Sequence, residues 1–508
     1  MRSTVTSQPE LAQSILSPIE FFFSGTLAEG TNWSSAIVVV EILARLTLAC
    51  IVVVRKGSRP SVATAWLLVV VSFPLIGSIA YLMLGESRLG GRRRTLHRMI
   101  LDRFDRPDFH RHDDPRAQDV RMDPSDLQIA HIARRVSNSP ATAGNRARLV
   151  GDSKSSVEQI VVDIDQATST VHLVTYIWLN DRVGEQLASA LIAAAKRGVA
   201  CRVLADGHGS SKFLKSSLCH SMRAGGVRVV AALPTHPFRA LFHRIDVRNH
   251  RKIIVVDCDV GWVGSMNVAA PEFAVQPRFA PWVDCMVRLN GPAVRELQLI
   301  FVEDWYLDTN ESLMELLHHM PPFHEDGIPA QIMASGPNYD NDAVRSLLMA
   351  AIQLARIEIV LTTPYFVPDS DMFSALCVAA QRGVEVHLVV PQRNNSWLVG
   401  LASRARYGAL LAAGIHIHEF TRGLLHAKTV TVDSLFAIVT SSNLDRRSFE
   451  INFEASAIMF DDGFAREVRS LQQEYIGFSV DVTTDSWGTQ SLPRRLAQNS
   501  ASLISPLI

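Results

Sequence analysis

One stretch of the sequence decides the expected fold: RNHRKIIVVDCDVGWVGSMN, residues 248–267. It places Lys252 two residues after His250 and five residues before Asp257, in the pattern H-x-K-x4-D, and it ends in a small polar turn. Only seven of the 50 basic residues in this chain of 508 are lysines, so arginine is its usual cation. The lysine at this position therefore indicates a specific requirement for a compact ammonium group.

The pattern occurs again in the second half of the chain. His426, Lys428 and Asp433 repeat the spacing, and the turn TSSN at 440–443 corresponds to GSMN at 264–267. Each copy follows a β-branched strand pattern, an Ala- and Leu-rich helix pattern that ends in Arg-Gly-Val, and further strand patterns. This order is typical of α/β domains. We predict two tandem, pseudo-symmetric α/β domains with the active site at their interface.

The spacing of each motif predicts a phosphodiester site. Residues two apart on a strand point to the same side, so His250 and Lys252 should project together, as should the second pair. Two copies placed face to face would gather two imidazoles and two ammonium groups in one pocket. The lysines would neutralise phosphate oxygens, one histidine would attack phosphorus, and the other would protonate the leaving alcohol and deprotonate the incoming one.

Further hydrogen bonds to the phosphate are expected from the two polar turns. The candidate residues are Ser265, Asn267, Ser441 and Asn443. The predicted chemistry requires no metal, and no acidic cluster of the kind that holds Mg²⁺ or Ca²⁺ accompanies the motifs.

Two apolar runs precede the duplicated body. Residues 36–54 and 62–84 each approach the roughly 20 apolar residues that cross a bilayer, so we predict a two-helix transmembrane hairpin. Glu41 and Arg45 in the first run are four residues apart and can pair on one helix face. Seven arginines follow between residues 88 and 106, which places the N-terminus and the body in the cytoplasm by the positive-inside rule.

Composition limits the possible functions. The formal net charge is zero and the pI is near 7.3, which argues against nucleic-acid binding through a generally basic surface. Six cysteines are scattered without a CxxC pair, which argues against a zinc site or a disulfide framework. The expected organisation is an N-terminal segment, the hairpin, a basic linker and the two α/β domains, at residues 1–35, 36–84, 85–126, 127–325 and 326–508 respectively.

The duplicated motifs resemble those of the phospholipase D superfamily. Within it, several stretches are similar to the bacterial cardiolipin synthases: FPLIGSIAYLMLGESRLG, RNHRKIIVVD, PWVDCMVRLNGPAV, TSSNLDRRSFEINFE and SLISPLI. The similarity extends from about residue 36 to residue 508. It implies two phospholipase D-type domains and an activity on phospholipids.

The resemblance also implies a reaction and a set of roles. One phosphatidylglycerol gives its phosphatidyl group to an enzyme histidine, glycerol leaves, and a second phosphatidylglycerol attacks to form cardiolipin. By the family pattern His250 is the nucleophile and His426 the general acid and base, although the symmetric spacing allows these roles to be exchanged. In the superfamily a carboxylate about thirty residues after each motif orients the histidine, and Asp284 and Glu454 match those positions.

The two motif aspartates complete the candidate catalytic set formed with the histidines and lysines. The resemblance gives Asp257 and Asp433 a supporting, structural part in it. We expect a phospholipid substrate, phosphatidylglycerol, at the inner (cytoplasmic) membrane, with no cofactor and no nucleic-acid partner. The motifs do not define an oligomeric state.

Other functions share the same motifs. A membrane-anchored phospholipase D, or another phosphatidyltransferase, would use the same phospho-histidine with water or a different alcohol as acceptor. A phosphodiesterase acting on nucleic acid is disfavoured by the apolar runs and the zero net charge. A catalytically silent membrane scaffold is disfavoured because both motifs are intact.

Overall fold

The computed structural model describes most of the chain. The described residues are 32–54, 60–84, 93, 95–97, 99–100, 115–234, 246–273, 275–339, 342–488 and 490–504. Residues 1–31 of the predicted N-terminal segment and much of the predicted linker 85–126 lie outside them. The chain divides into two compact units, residues 1–81 and 82–508.

The first unit contains the two apolar runs except for residues 82–84, which fall in the second unit. Helix α1 (Asn32–Val54) covers the first run, and α2 (Pro60–Ser72) and α3 (Pro74–Leu84) together cover the second. The sequence predicts one continuous span over 62–84, whereas the structure divides it at Phe73. Proline has no N–H to donate and its ring crowds the preceding turn, so a continuous helix is interrupted at this position.

The charged pair of the first run forms within α1. Nη2 of Arg45 lies 3.1 Å from Oε2 of Glu41, as their spacing of four residues allows. In the described part of the chain, no helix combines the length and the apolar composition that a bilayer crossing requires.

The second unit is built around one mixed sheet. The strands are β1 (Thr142–Val150), β2 (Thr170–Thr175), β3 (Ala200–Asp206), β4 (Arg228–Ala232), β5 (Ile253–Val256), β6 (Val260–Gly264), β7 (Trp282–Val283), β8 (Met286–Asn290), β9 (Ile328–Ser335), β10 (Glu358–Thr362), β11 (Phe366–Val367), β12 (Glu385–Pro391), β13 (His416–Phe420), β14 (Leu424–Leu425), β15 (Thr429–Val432), β16 (Phe436–Thr440), β17 (Leu444–Asp445), β18 (Glu454–Met459) and β19 (Ser479–Val482). Fifteen of them form a single sheet, in the order β19-β13-β12-β10-β15-β16-β18-β9-β1-β8-β6-β5-β2-β3-β4. The pairs β7–β14 and β11–β17 form two small separate sheets.

This strand order contains the same unit twice. Outward from the centre, the first copy runs β1-β8-β6-β5-β2-β3-β4 and the second runs β9-β18-β16-β15-β10-β12-β13, with β19 added at the outer edge. The inner strands of each copy pair antiparallel, and the three outer strands β2-β3-β4 and β10-β12-β13 pair in parallel. Strands β1 and β9 join the copies antiparallel. The predicted duplicated α/β architecture is confirmed.

Helices cover both faces of this sheet. They are α4 (Pro115–Gln118), α5 (Pro124–Ser137), α6 (Ser153–Gln166), α7 (Arg182–Lys196), α8 (Ser211–Leu214), α9 (Ser217–Ala224), α10 (Val294–Thr309), α11 (Ala343–Leu354), α12 (Ser370–Gln381), α13 (Trp397–Arg404), α14 (Tyr407–Ala412), α15 (Arg446–Glu450), α16 (Asp462–Gly477), α17 (Thr484–Gly488) and α18 (Leu492–Ile504). Helices α10 and α16 pack on a face where one apolar core extends across both copies. On the other face each copy has its own core, under α6, α7 and α9 in the first and under α5, α11 and α12 in the second.

The repeated helices α7 and α12 begin and end in the same way. The carboxylates of Asp181 and Asp369 each accept two backbone N–H groups of the first helical turn. Gly198 and Gly383 follow the helices with φ of +96° and +90°, a conformation that glycine adopts without strain. These caps set where each chain returns to the next parallel strand.

Candidate active site

Two histidines, one from each copy, line the same pocket. His250 precedes β5 by three residues, and His426 precedes β15 by three residues. The pocket has a volume of about 430 Å³ and is lined by residues of both halves. The structure thus brings together the two motif histidines that the sequence predicts to meet.

Each histidine is paired with a carboxylate of the other copy. Nδ1 of His250 lies 2.9 Å from Oε2 of Glu454, and Nδ1 of His426 lies 2.6 Å from Oδ1 of Asp284. The sequence spacing associates each carboxylate with the motif that precedes it, whereas the fold exchanges them. All four side chains are buried. Because Nδ1 of each ring is engaged, Nε2 is the nitrogen left for chemistry.

Short backbone contacts between the copies produce this exchange. Strand β7 pairs in parallel with β14, and the N–H of His426 donates to the carbonyl of Val283 at 2.7 Å. At the equivalent position of the first motif, the N–H of His250 donates to the carbonyl of Phe453 at 2.9 Å. A segment of each copy therefore runs directly into the motif of the other.

Ser265 and Ser441 hold the two carboxylates in position. The hydroxyl of Ser265 donates to Asp284 at 2.7 Å, and that of Ser441 donates to Glu454 at 2.5 Å. Both serines are fully buried, and each also accepts a backbone N–H at 3.0 Å. The single proton of each hydroxyl is used within the protein. In this arrangement the serines position the carboxylates, and their donation to a substrate phosphate stays a prediction.

Lys252 and Lys428 are buried beside the histidines. Each Nζ donates to the backbone carbonyl of the histidine in its own motif, at 2.6 Å in both copies. Burial lowers the pKa of Lys252 to about 7 and that of Lys428 to about 8, against the attraction of Glu454 and Asp284. Strand β5 begins only after Lys252. The hydrogen bond, and not the predicted strand alternation, sets the direction of the lysine side chain.

Burial also keeps both imidazoles neutral. It lowers the pKa of His250 to about 4 and that of His426 to about 3, and the neighbouring lysine of each motif lowers it further. Burial alone would raise the pKa of Asp284, but His426, its main partner, and Lys428 lower it to about 2. The pocket therefore contains neutral imidazoles beside an ionised Asp284.

Aromatic and amide side chains complete the surroundings of the histidines. The ring centroid of Tyr176 lies 5.0 Å from that of His250, and the ring of Trp282 lies 4.6 Å from that of His426. The turn residues Asn267 and Asn443 also line the pocket. Oδ1 of Asn267 accepts the N–H of Ile177 at 3.2 Å, whereas the buried Oδ1 of Asn443 has no hydrogen-bond partner within the described chain.

The motif aspartates lie away from this pocket. Asp257 follows β5, and the four residues of that strand, at about 3.3 Å each, separate it from the start of the strand by about 13 Å. Its carboxylate accepts the N–H groups of residues 168–170, and that of Asp433 accepts those of residues 356–358. Each aspartate therefore anchors the chain entering the neighbouring strand, β2 or β10. A supporting, structural part for Asp257 and Asp433 therefore stays the prediction.

Three arginines line the pocket in addition to the residues that the sequence predicts there. Arg248, Arg446 and Arg447 all line it. The duplicated pattern reveals features that the two copies share, whereas these arginines occur where the copies differ. The usable signal was the contrast between NVAAPEF at 267–273 and NLDRRSF at 443–449.

A possible group of metal ligands lies elsewhere in the second copy. Ligand atoms of Glu358, Glu385 and His387 lie within 4.8 Å of one another. Arg469 already binds both carboxylate oxygens of Glu358, at 2.7 and 2.8 Å. These residues do not line the pocket that contains the two motif histidines.

Comparison with known proteins identifies the family. A family model described as "Cardiolipin synthase, PLD-like domain" matches residues 160–305 and 348–475, which together exceed half of the chain. The chain belongs to this cardiolipin synthase family. A second model, "Phospholipase_D-nuclease N-terminal", matches residues 46–86. The two matched segments of this cardiolipin synthase family member correspond to the two copies in the sheet.

Named relatives agree with this family. The chain is 36% identical over 463 residues to cardiolipin synthase A of Pectobacterium carotovorum subsp. carotovorum, covering 90% of this chain and 95% of that protein. It is 35% identical over 487 residues to cardiolipin synthase A of Yersinia pseudotuberculosis serotype O:1b, covering 94% and 98%. The resemblance inferred from the sequence is confirmed.

A solved structure shares the fold of this family member. The crystal structure of phosphatidylserine synthase from Haemophilus influenzae Rd KW20 matches with a TM-score of 0.57 at 12% identity, covering 75% of this chain and all of that chain. At this identity the match concerns the fold alone.

Proposed function

We propose that this protein is a cardiolipin synthase that transfers a phosphatidyl group from one phosphatidylglycerol to another and releases glycerol. The observation that carries the proposal is the pair of neutral histidines in one pocket, each held by a carboxylate of the other copy. Such a pair suits a two-step transfer through a covalent phospho-histidine. Relatives named cardiolipin synthase A, at 35–36% identity, support the choice of reaction.

In the first step, Nε2 of His250 attacks the phosphorus of the donor lipid. The bond from phosphorus to the glycerol oxygen breaks, and His426 gives a proton to that oxygen. The pKa of His426 is lowered to about 3 in the free pocket, but an entering phosphodiester anion favours its protonated form. Binding of the substrate phosphate thus promotes protonation of His426, which then acts as the general acid.

In the second step, His426 takes a proton from a hydroxyl of the second phosphatidylglycerol. The resulting oxygen attacks phosphorus, and the bond from phosphorus to Nε2 of His250 breaks. Glu454 stabilises His250 during its change of charge and fixes the tautomer in which Nδ1 bears hydrogen. Lys252 and Lys428 contribute positive charge beside the reacting phosphate and stabilise its additional negative charge in each transition state.

The N-terminal unit supports an assignment to the inner (cytoplasmic) membrane. We propose that residues 36–54 and 62–84 embed there as a hairpin, with the body in the cytoplasm. The helices of this unit expose many large apolar side chains, among them Val40, Val54, Leu68, Leu75 and Ile76. Such a surface is stable in contact with lipid and unfavourable in water. Sodium carbonate extraction of membranes carrying the full chain, compared with a chain that starts at residue 85, tests this placement.

The reaction is tested on vesicles of phosphatidylglycerol with the full chain. We expect cardiolipin and glycerol in equal amounts, and an acid-labile phosphorylated enzyme that His250→Ala abolishes. Phosphatidic acid as the main product would instead assign a phospholipase D. A His250→Ala protein with full activity would contradict the assignment of the nucleophile.

A further inference from the structure

The two copies differ in the residues that surround the pocket. The turn residues Asn267 and Asn443 are equivalent, because each precedes a parallel contact with the segment after β2 or β10. Three and four residues later, the second copy has Arg446 and Arg447, whereas the first has alanine and proline. The difference lies at the pocket itself, since both arginines line it.

At two further pairs of equivalent positions, one copy has a polar residue and the other copy has an apolar residue. Two residues before the carboxylate, the second copy has Asn452 and the first has Trp282. Two residues before the histidine, the first copy has Arg248 and the second has Leu424. Because the segments exchange between copies, the polar member of each pair lies beside His250.

The pocket therefore has a polar wall, which we define as Arg248, Arg446, Arg447 and Asn452. Contacts between two segments hold it beside the first motif: Nη2 of Arg447 donates to the carbonyl of Asp246 at 2.8 Å. The N–H of residue 453 likewise donates to the carbonyl of Arg248 at 2.9 Å.

The opposite side, beside His426, is an apolar wall formed by Phe273, Val275 and Trp282. Phe273 and Trp282 stack with ring centroids 4.0 Å apart, and Trp282 in turn contacts the ring of His426. This wall offers contacts for hydrocarbon and little for charge.

The polar wall brings positive charge to the lining of the pocket. The carboxylates that pair with Arg446 and Arg447 belong to Glu450 and Asp246, and neither residue lines the pocket. Among the described residues that line it, Asp445 is the one acidic residue, and its carboxylate caps helix α15. Guanidinium groups that line a pocket with little acidic lining suit a phosphate, the anion with which arginine pairs best.

The polar wall also contains an unsatisfied acceptor. Oδ1 of Asn452 is buried and has no hydrogen-bond partner among the described residues, although its amide group lies 3.4 Å from Oε1 of Glu454. A buried acceptor without a partner is unfavourable, and a ligand hydroxyl would satisfy it. The wall thus offers guanidinium groups for a phosphate and a carbonyl oxygen for a hydroxyl.

We propose that the polar wall binds the glycerol phosphate of the acceptor lipid and thereby selects an anionic acceptor over water and neutral alcohols. The inference rests on the proposed function, in which two phosphates enter one site and only one of them reacts. The lysines of the motifs serve the reacting phosphate. The second phosphate needs its own cations, and the arginines outside the motifs supply them.

The test compares two acceptors that share one donor. Vesicles of phosphatidylglycerol are incubated with the full chain in the presence of ethanol, and cardiolipin and phosphatidylethanol are measured together. We expect Arg446→Gln to lower the ratio of cardiolipin to phosphatidylethanol about tenfold. The reason is that the acceptor phosphatidylglycerol carries a phosphate, whereas the acceptor ethanol does not. Arg446→Lys keeps the charge and should retain more of the ratio.

Two controls accompany these variants. Arg466→Gln removes a cation of α16 that pairs with Asp462 on the exposed surface, and it should leave the ratio at its original value. The double variant Arg446→Gln/Glu450→Gln removes the ion pair as a unit, so that a fall in its ratio does not come from an unpaired carboxylate.

An unchanged ratio in both Arg446→Gln proteins would overturn the proposal. An equal fall of both products would also overturn it, since the arginine would then serve the reacting phosphate. Absence of both products from the unaltered protein would instead contradict the proposed function itself.

Discussion

At the residue scale, burial sets the chemical state of the site. The two imidazoles lose affinity for protons because a charge is costly on a buried side chain, and the two lysines lose affinity for the same reason. A neutral imidazole is a nucleophile and a base, whereas a protonated one is neither. The lysines stay near the boundary between charged and neutral at physiological pH, so the bound phosphate decides their charge.

The lowered pKa values of the lysines predict how activity depends on pH. Lys252 titrates at about 7 and Lys428 at about 8 in the free protein, so their positive charge is lost as pH rises. We expect kcat/KM to fall at least about tenfold between pH 7 and pH 9, and kcat to fall less, because the bound phosphate favours the charged lysines. Initial rates on phosphatidylglycerol vesicles at constant ionic strength measure both. A kcat/KM that rises through this range would contradict the assignment.

The exchanged carboxylates predict which side chains are energetically coupled. Two double-mutant cycles on the free energy of unfolding test this. One combines Glu454→Gln with His250→Gln, and the other combines Glu454→Gln with His426→Gln. We expect a coupling of about 1–3 kcal/mol for the pair Glu454–His250, and less than about 0.5 kcal/mol for Glu454–His426, which belong to one copy. The opposite ranking would show that the carboxylates serve their own motifs.

At the scale of elements, each motif links the pocket to the far end of a strand. Its histidine and lysine precede β5 or β15, and its aspartate follows the same strand. Asp257 and Asp433 both have φ of +52°, and each accepts three consecutive backbone N–H groups from the chain that enters the adjacent strand. The aspartate thus fixes the position of one strand relative to its neighbour, and the histidine benefits from a rigid support.

This arrangement predicts that the motif aspartates affect stability more than chemistry. We expect Asp257→Asn and Asp433→Asn each to lower the free energy of unfolding by about 1–3 kcal/mol, since backbone donors lose a charged acceptor. The kcat of the folded fraction should stay within about threefold of the original value. Urea unfolding and active-site titration measure the two quantities. A large loss of kcat with unchanged stability would assign the aspartates to the reaction.

The sequence predicts the elements better than the contacts between copies. The recurring spacing predicts the two histidines, and the alternation of strand and helix patterns predicts the α/β order. The exchange of Asp284 and Glu454 could not be predicted, since a carboxylate about thirty residues after each motif fits either pairing. From the sequence, the single hydroxyl proton of Ser265 could go to the substrate phosphate or to a carboxylate of the protein. The three-dimensional arrangement shows it directed to Asp284.

At the scale of the whole second unit, the two copies depend on each other. They share one sheet through β1 and β9, and one apolar core extends across both. Each histidine also lacks its carboxylate partner unless the other copy is present. Each copy by itself therefore contains one motif histidine without the carboxylate that pairs with it.

We therefore expect neither copy to act alone. Chains covering residues 82–325 and 326–508, produced separately, should form no cardiolipin from phosphatidylglycerol. Produced together, they should recover part of the activity, because the joining strands β1 and β9 can still pair. Thin-layer separation of labelled lipid products measures this. Activity from either chain alone would contradict a site assembled from both copies.

The joining of two similar copies through β1 and β9 has a consequence for how such a site can specialise. A protein with one copy would build the same pair of histidines by associating with itself about a two-fold axis, and every residue of the interface would then occur twice. No substitution could alter one side of that pocket without altering the other. Within a single chain each side is encoded separately, so one can become cationic while the other becomes aromatic. Linking the copies thus allows a symmetric pair of histidines to distinguish the lipid that gives from the lipid that receives.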